Sequence, residues 1–259
     1  MEETERRYRA IFISDIHLGT RACKAEFLLD FLRRNESEQL YLVGDIIDGW
    51  ALRRSWLGWR QSHNDVVQKL LRKARKGTKV VYIPGNHDEL ARQFLGVRFG
   101  GISIANAAVH QTADGRRFLV THGDQYDAVI RCAKWVAQLG SWAYDVSVVL
   151  NSALNWARLR LGLPYWSLSA YLKLRVKNAR GFIAEFRRAV AQEARRKGLD
   201  GVICGHIHHA EVAAVDGTLY LNDGDWVEGC TALVEDFDGR LEIVHWAGAA
   251  QAAPLGSGA

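Results

Sequence analysis

Cysteine is scarce in this 259-residue chain. Cys23, Cys132, Cys204 and Cys230 lie far apart and form no CxxC pair. That spacing excludes a disulfide framework and a thiolate zinc site, and leaves reduced thiols as the simpler expectation. Long apolar runs are missing too. No stretch reaches the roughly 18 apolar residues of a spanning helix, and the nearest, Trp135 to Leu150, is broken by Gln138 and Asp145. The charged segment Met1 to Arg9 runs straight into a strand pattern, so no secretory leader is expected. Internal repeats are absent. What remains is an ordinary globular composition, 48% apolar and 24% charged, with a net charge of +5. Positive charge favours anionic partners: nucleic acid, phosphorylated metabolites or an anionic membrane face.

Five short apolar runs punctuate the chain: Ala10–Ile13, Leu40–Val43, Val80–Ile83, Phe118–Val120 and Gly201–Cys204. Between them lie helical patterns, one carrying Phe27, Leu28, Phe31 and Leu32, another at about Asn64 to Lys76 closed by Gly77. Continuous apolar runs alternating with helices predict strands buried on both faces, hence a layered α/β fold. After the fifth run the pattern turns all-β. Strands are expected at Thr218–Leu221, Thr231–Val234 and Leu241–Trp246, the last two joined by a turn at Asp236–Gly239. The Ala/Gly/Pro/Ser tail from Ala247 is expected to be disordered.

Each of the five runs ends in polar residues of one chemical kind. The first is followed by Asp15 and His17, the second by Asp45, the third by Asn86, the fourth by His122, the fifth by His206 and His208. Open α/β sheets place their sites just past strand carboxyl ends. All seven residues offer oxygen or imidazole donors, which suits Mn, Fe, Zn or Mg better than a soft-metal centre. One shared carboxylate can bridge two ions about 3.5–4 Å apart, the spacing used for displacement at phosphorus.

In order, DxH, GDxxD, GNHD, HGD and GHxH resemble the calcineurin-like metallophosphoesterase superfamily over about Arg9 to Trp246. The resemblance implies a four-layer αββα sandwich spanning residues 1–259 as one domain, with a helical insertion capping the sheet edge at about 127–197. It implies two divalent ions, Mn2+ foremost. Asp15, His17, Asp45 and His208 would hold one, and Asp45, Asn86, His122 and His206 the other. His87 would approach the leaving group or a phosphoryl oxygen, with Asp88 orienting it. Chain length, the GDIIDGW stretch, the insertion after HGD and the late NDGDWVEG turn are similar to the bacterial UDP-2,3-diacylglucosamine pyrophosphatases. That branch hydrolyses a lipid-linked nucleotide diphosphate at a membrane surface. It has Arg where this chain has His87, and GHTHRP where this chain has GHIHHA.

Residues outside these motifs have chemistry of their own. Arg53 and Arg54, in a loop rich in tryptophan and arginine (Trp50 to Arg60), could clamp a phosphate, or the loop could simply pack its tryptophans. From Ala128 to Arg180 eight basic side chains face one acid, Asp145, a balance suited to an anionic membrane surface. Within this region Lys173 and Lys177 are candidates for substrate phosphate, and Asp127 for a polar contact. Asp48 is expected to brace its loop, His209 to face away, and His63, His110 and His245 to be structural or surface residues. Asp225 and Trp226 could line the site or make a tight turn. The expected substrate is a phosphorylated, lipid-linked nucleotide sugar met at the cytoplasmic face of a membrane, with nucleic acid disfavoured and no obligate protein partner. A phosphodiesterase for another substrate, and an inactive scaffold, are the alternatives.

Overall fold

The computed structural model describes residues 6–54, 58–126 and 177–246. The chain divides into two compact units, one formed by 1–124 with 190–259 and the other by 125–189. The first unit contains two sheets. One has seven strands in the order β12-β11-β1-β2-β3-β5-β4, the other five in the order β6-β7-β8-β10-β9. The strands are β1 (Arg6–Ile13), β2 (Asn35–Val43), β3 (Lys79–Ile83), β4 (Arg98–Phe99), β5 (Ile102–Ile104) and β6 (Ala108–Gln111), followed by β7 (Arg117–Val120), β8 (Gly201–Cys204), β9 (Glu211–Val215), β10 (Thr218–Asn222), β11 (Thr231–Glu235) and β12 (Leu241–His245). β1, β2, β3 and β5 run parallel in one sheet, and β7, β8 and β10 in the other.

Alternation along β1 explains the layers. Ile11 and Ile13 face α1 (Ala25–Arg34) and α3 (Gln61–Arg75), packing with Leu28, Phe31, Val66 and Leu70. Ala10 and Phe12 face the other way, into an interior shared with Phe118, Val120, Ile203 and Leu221 of the second sheet. Each of the buried Val, Leu, Ile and Phe side chains contributes about 1.5–3 kcal/mol. A polar pin crosses this interior. His110 of β6 lies 2.7 Å from Glu235 of β11 and 3.2 Å from the Tyr41 hydroxyl of β2, while Arg9 donates to both Glu235 oxygens.

Helix α4 (Lys177–Arg196) precedes β8 and buries Val190, Ala191 and Ala194. The expected cap at 127–197 overlaps the second unit, but residues 127–176, including Asp127 and Lys173, lie outside the described residues, as does the tail from 247.

Several elements differ from expectation. The stretch Trp50–Arg60 is not all loop, because Gly49–Arg54 forms helix α2. Asp48 accepts the Ala51 N–H at 2.7 Å there, which starts the turn. β4, β5, β6 and β9 were not expected. β4 and β5 are shorter than four residues, β6 has two apolar residues followed by His110 and Gln111, and β9, though it holds Val212–Val215, is only partly buried.

Candidate metal centre

The loops after β1 and β2 are zipped together by backbone bonds. Asp15 N–H donates to Gly44 O at 3.0 Å, His17 to Asp45 O at 2.9 Å, Leu18 to Ile46 O at 2.9 Å, and Asp48 back to Leu18 O at 2.8 Å. Within this ladder Asp15, His17 and Asp45 have φ of 50°, 52° and 53°, and His206 and His208 have 71° and 51°. A left-handed non-glycine residue costs about 1–2 kcal/mol, so five at one place mark a site held against local preference. Gly44 sits at φ 86°, and any Cβ there would strike the His122 ring. The glycine therefore lets the HGD histidine close onto the GD loop.

All the strand-end residues except Asn86 fall into two three-residue groups. Asp15, His17 and His208 each bring a ligand atom within 4.8 Å of the others, and so do Asp45, His122 and His206. Asp45 Oδ2 lies 3.5 Å from His122 Nε2 and 3.9 Å from His17 Nε2, between the groups. Asp15 Oδ1 is 3.2 Å from His208 Nε2 and 3.9 Å from His17 Nε2.

In four of the seven candidate ligands the side away from the centre is already satisfied. His122 Nδ1 is 2.8 Å from Val43 O, which requires a proton there and turns Nε2 toward the centre. His17 Nδ1 is 3.0 Å from Asp48 Oδ2, with the same consequence. Asp15 Oδ2 takes Ser14 Oγ and the His206 N–H, and Asp45 Oδ1 takes the His87 N–H. The inward atoms Asp15 Oδ1, His17 Nε2, Asn86 Oδ1 and His122 Nε2 are buried without hydrogen-bond partners. Buried ligand atoms without hydrogen-bond partners at four positions are what cations would satisfy, displacing any imidazole proton. The residues fit two divalent ions.

Charge follows the same division. Burial pushes Asp15 and Asp45 up, but bonds and charges of His208 and His122 outweigh it and hold both carboxyls low. Burial pulls His122 down, but its contact with Asp45 and the charges of Asp45 and Asp15 push it up to about 10. Without metal, protons on imidazoles balance the carboxylates.

The structure corrects the role expected for Asp88. It does not reach His87. Its carboxylate accepts N–H groups of Ile46 at 2.8 Å and Gly85 at 2.5 Å and the Tyr82 hydroxyl at 2.5 Å, tying the GNHD loop to the GD loop. The partner of His87 is Asp48, whose Oδ2 lies 2.9 Å from His87 Nδ1 and 3.0 Å from His17 Nδ1. Burial lowers the His87 pKa, but Asp48 and the nearby carboxylates outweigh it and raise it. Asp48 thus braces its loop as expected and also orients two imidazoles.

Trp50 covers His87 with ring centroids 4.1 Å apart and stays 43% exposed. Arg53 and Arg54 are exposed at the end of α2. Lys177 is the first residue of α4. His63 is buried and accepts the Gly19 N–H at 3.1 Å, supporting the DxH loop. Asp225 makes the tight turn, accepting from Val227 and Glu228. Asp48 was legible as GDxxD. Nothing local in the sequence marks His63.

The family model for calcineurin-like phosphoesterases matches residues 8–210. The chain is 26% identical over 240 residues to the UDP-2,3-diacylglucosamine hydrolase of Neisseria meningitidis serogroup B, covering 90% of this chain and 97% of that one. It is 27% identical over 159 residues to the DNA polymerase II small subunit of Methanothermobacter thermautotrophicus, covering 49% and 33%. Among solved structures, the phosphoesterase Yfce of E. coli is similar at 16% identity and a TM-score of 0.43, covering 92% of this chain and 98% of that one. A single mutant of Vps29 from Entamoeba histolytica has the same identity and TM-score, covering 91% and 97%. With its donors gathered at the carboxyl ends of strands in two stacked sheets, and the match spanning most of its length, the chain belongs to the calcineurin-like phosphoesterase family.

Proposed function

We propose that this protein hydrolyses a phosphoric anhydride in a lipid-linked nucleotide diphosphate of the UDP-2,3-diacylglucosamine type, with Mn2+ as the working ion, at the cytoplasmic face of a membrane. The observation that carries the hydrolytic reading is the pair of donor groups meeting at Asp45, beside the unpartnered inward atoms of Asp15, His17, Asn86 and His122. When bound, two divalent ions lower the pKa of an attacking water and neutralise phosphoryl charge. Asp15, His17 and His208, with Asp45, would hold one ion, and Asp45, Asn86, His122 and His206 the other. His87, its Nδ1 against Asp48 and its ring under Trp50, presents Nε2 to the phosphoryl or leaving oxygen.

Relatives named UDP-2,3-diacylglucosamine hydrolase align over 90% of this chain, at 26% identity in N. meningitidis and 22% in Porphyromonas gingivalis, which supports the substrate class. An apolar cavity of about 440 Å³ has Leu18 and Ile47 in its lining, neighbours of His17 and Asp48, and has the chemistry to accept an acyl chain. The basic balance of 128–180 supports an anionic substrate and surface, with Lys173, Lys177 and Asp127 as contacts. Among the described residues no helix is long and apolar enough to cross a membrane. His87, in place of the branch's Arg, favours a second reading: a phosphodiesterase for another substrate.

The test compares Mn2+-dependent hydrolysis of UDP-2,3-diacylglucosamine, an aryl phosphodiester and an oligonucleotide. The lipid is expected to be preferred; preference for the oligonucleotide overturns the assignment. Asp45→Ala and His122→Ala are expected to abolish turnover with the fold largely kept, and unchanged rates would remove the site itself.

A further inference from the structure

The Ser14 hydroxyl has one hydrogen and two carboxyl neighbours. Its Oγ lies 2.7 Å from Asp15 Oδ2 and 2.6 Å from Asp223 Oδ1, and 3.1 Å from Gly224 O, all buried. Were both carboxyls ionised, one of those short oxygen–oxygen contacts would have no proton in it. Asp15 is not where the missing proton belongs. Its Oδ2 already accepts the His206 N–H at 2.8 Å, and its Oδ1 faces the imidazoles of His208 and His17. Asp223 is fully buried, no cation pairs with it among the described residues, and its Oδ2 has no hydrogen-bond partner. Burial, with Asp15 adding to it, pushes its carboxyl well above the ordinary range, against the pull of Ser14.

The geometry assigns Asp223 as a protonated carboxylic acid that donates to Ser14 Oγ, so that Ser14 donates to Asp15 and leaves Asp15 Oδ1 free for a cation. This rests on the reading of Asp15 as a metal ligand. Asp223 belongs to the turn after β10, which is fixed from several sides. Asn222 Nδ2 donates to Gly205 O at 2.7 Å, Thr231 Oγ1 to Asp223 O at 2.8 Å, and Trp226 N–H to Asp15 O at 3.1 Å. Gly205 leaves no slack, since a Cβ there would strike Ser14 Oγ. A neutral acid at this point supplies a hydrogen without adding a further negative charge behind Asp15 and Asp45. An ionised Asp223 would instead compete for the Ser14 hydrogen and release Asp15 Oδ2. Asp223 is a positioning residue, acting through Ser14.

The experiment uses the full chain. Infrared spectra of the metal-free protein are compared for native, D223N and D223L, and Mn2+ affinity is measured by calorimetry. The native protein is expected to show a protonated-carboxyl carbonyl band that D223N lacks. D223N, whose amide N–H can donate to Ser14, is expected to bind Mn2+ as tightly as the native chain. D223L is expected to lose affinity by about ten- to a hundredfold. Absence of the band from the native protein overturns the proposal, as does D223N falling as far as D223L. Should D223L not fold, the native and D223N spectra decide alone. A native chain that shows the band but binds no Mn2+ would refute the metal reading and leave the protonated acid standing.

Discussion

Asp48 is the residue on which two imidazoles depend, since one of its oxygens lies 3.0 Å from His17 Nδ1 and 2.9 Å from His87 Nδ1. Its other oxygen caps α2. Asp48→Asn keeps the shape but places an amide where His17 needs an acceptor. Loss of such an outer partner typically costs about 10–100-fold in metal affinity or activity, and that is the expected fall in kcat/KM, read alongside Mn2+ titrations. At this scale motif spacing named the donors, because ligand chemistry resides in residue type. Which carboxylate serves His87 was not legible. Asp88 is its neighbour in the chain, but backbone N–H groups claim Asp88, and only the fold of the GD loop brings Asp48 across.

Elements are locked by a few buried polar groups. Asp88 joins the loop after β3 to the loop after β2, and its removal leaves the Ile46 and Gly85 N–H groups unmatched. Asp88→Ala is expected to cost about 1–3 kcal/mol or more in denaturant unfolding, because each orphaned buried donor carries that penalty. Glu235 joins the two sheets through His110, and Arg9 of its own sheet donates to the same carboxylate. Removing one member of a buried pair costs about 3–5 kcal/mol, so Glu235→Ala should lower Tm strongly while leaving Mn2+ affinity unchanged. His110 looked isolated in sequence because its partner is 125 positions away.

For the molecule as a whole, protons and metal ions compete for one cluster. The His122 pKa is raised from 6.5 to about 10 in the metal-free protein, by Asp45 and Asp15 against the effect of burial. Its stabilising contribution is therefore complete below 6.5 and is lost as pH rises through about 10. Thermal melts of metal-free protein should fall across that window, and His122→Ala should flatten the fall. Mn2+ binding near neutral pH should release protons, measurable by calorimetry in buffers of different ionisation enthalpy.

Sequence alone determined the layered α/β class, the five strand ends and the donor types, because buried strands need unbroken apolar runs and cations need particular atoms. Edge strands such as β4 and β9 stayed hidden, since β4 is two exposed residues and β9 is only partly buried, its place in the sheet set by pairing with β10. Tertiary structure decided which atoms are spoken for. Val43 O takes one nitrogen of His122, the His206 N–H one oxygen of Asp15, and Asp48 the backs of His17 and His87. Those partners come from separate strands and loops, and a hydrogen bond between distant residues leaves no period or spacing in the chain.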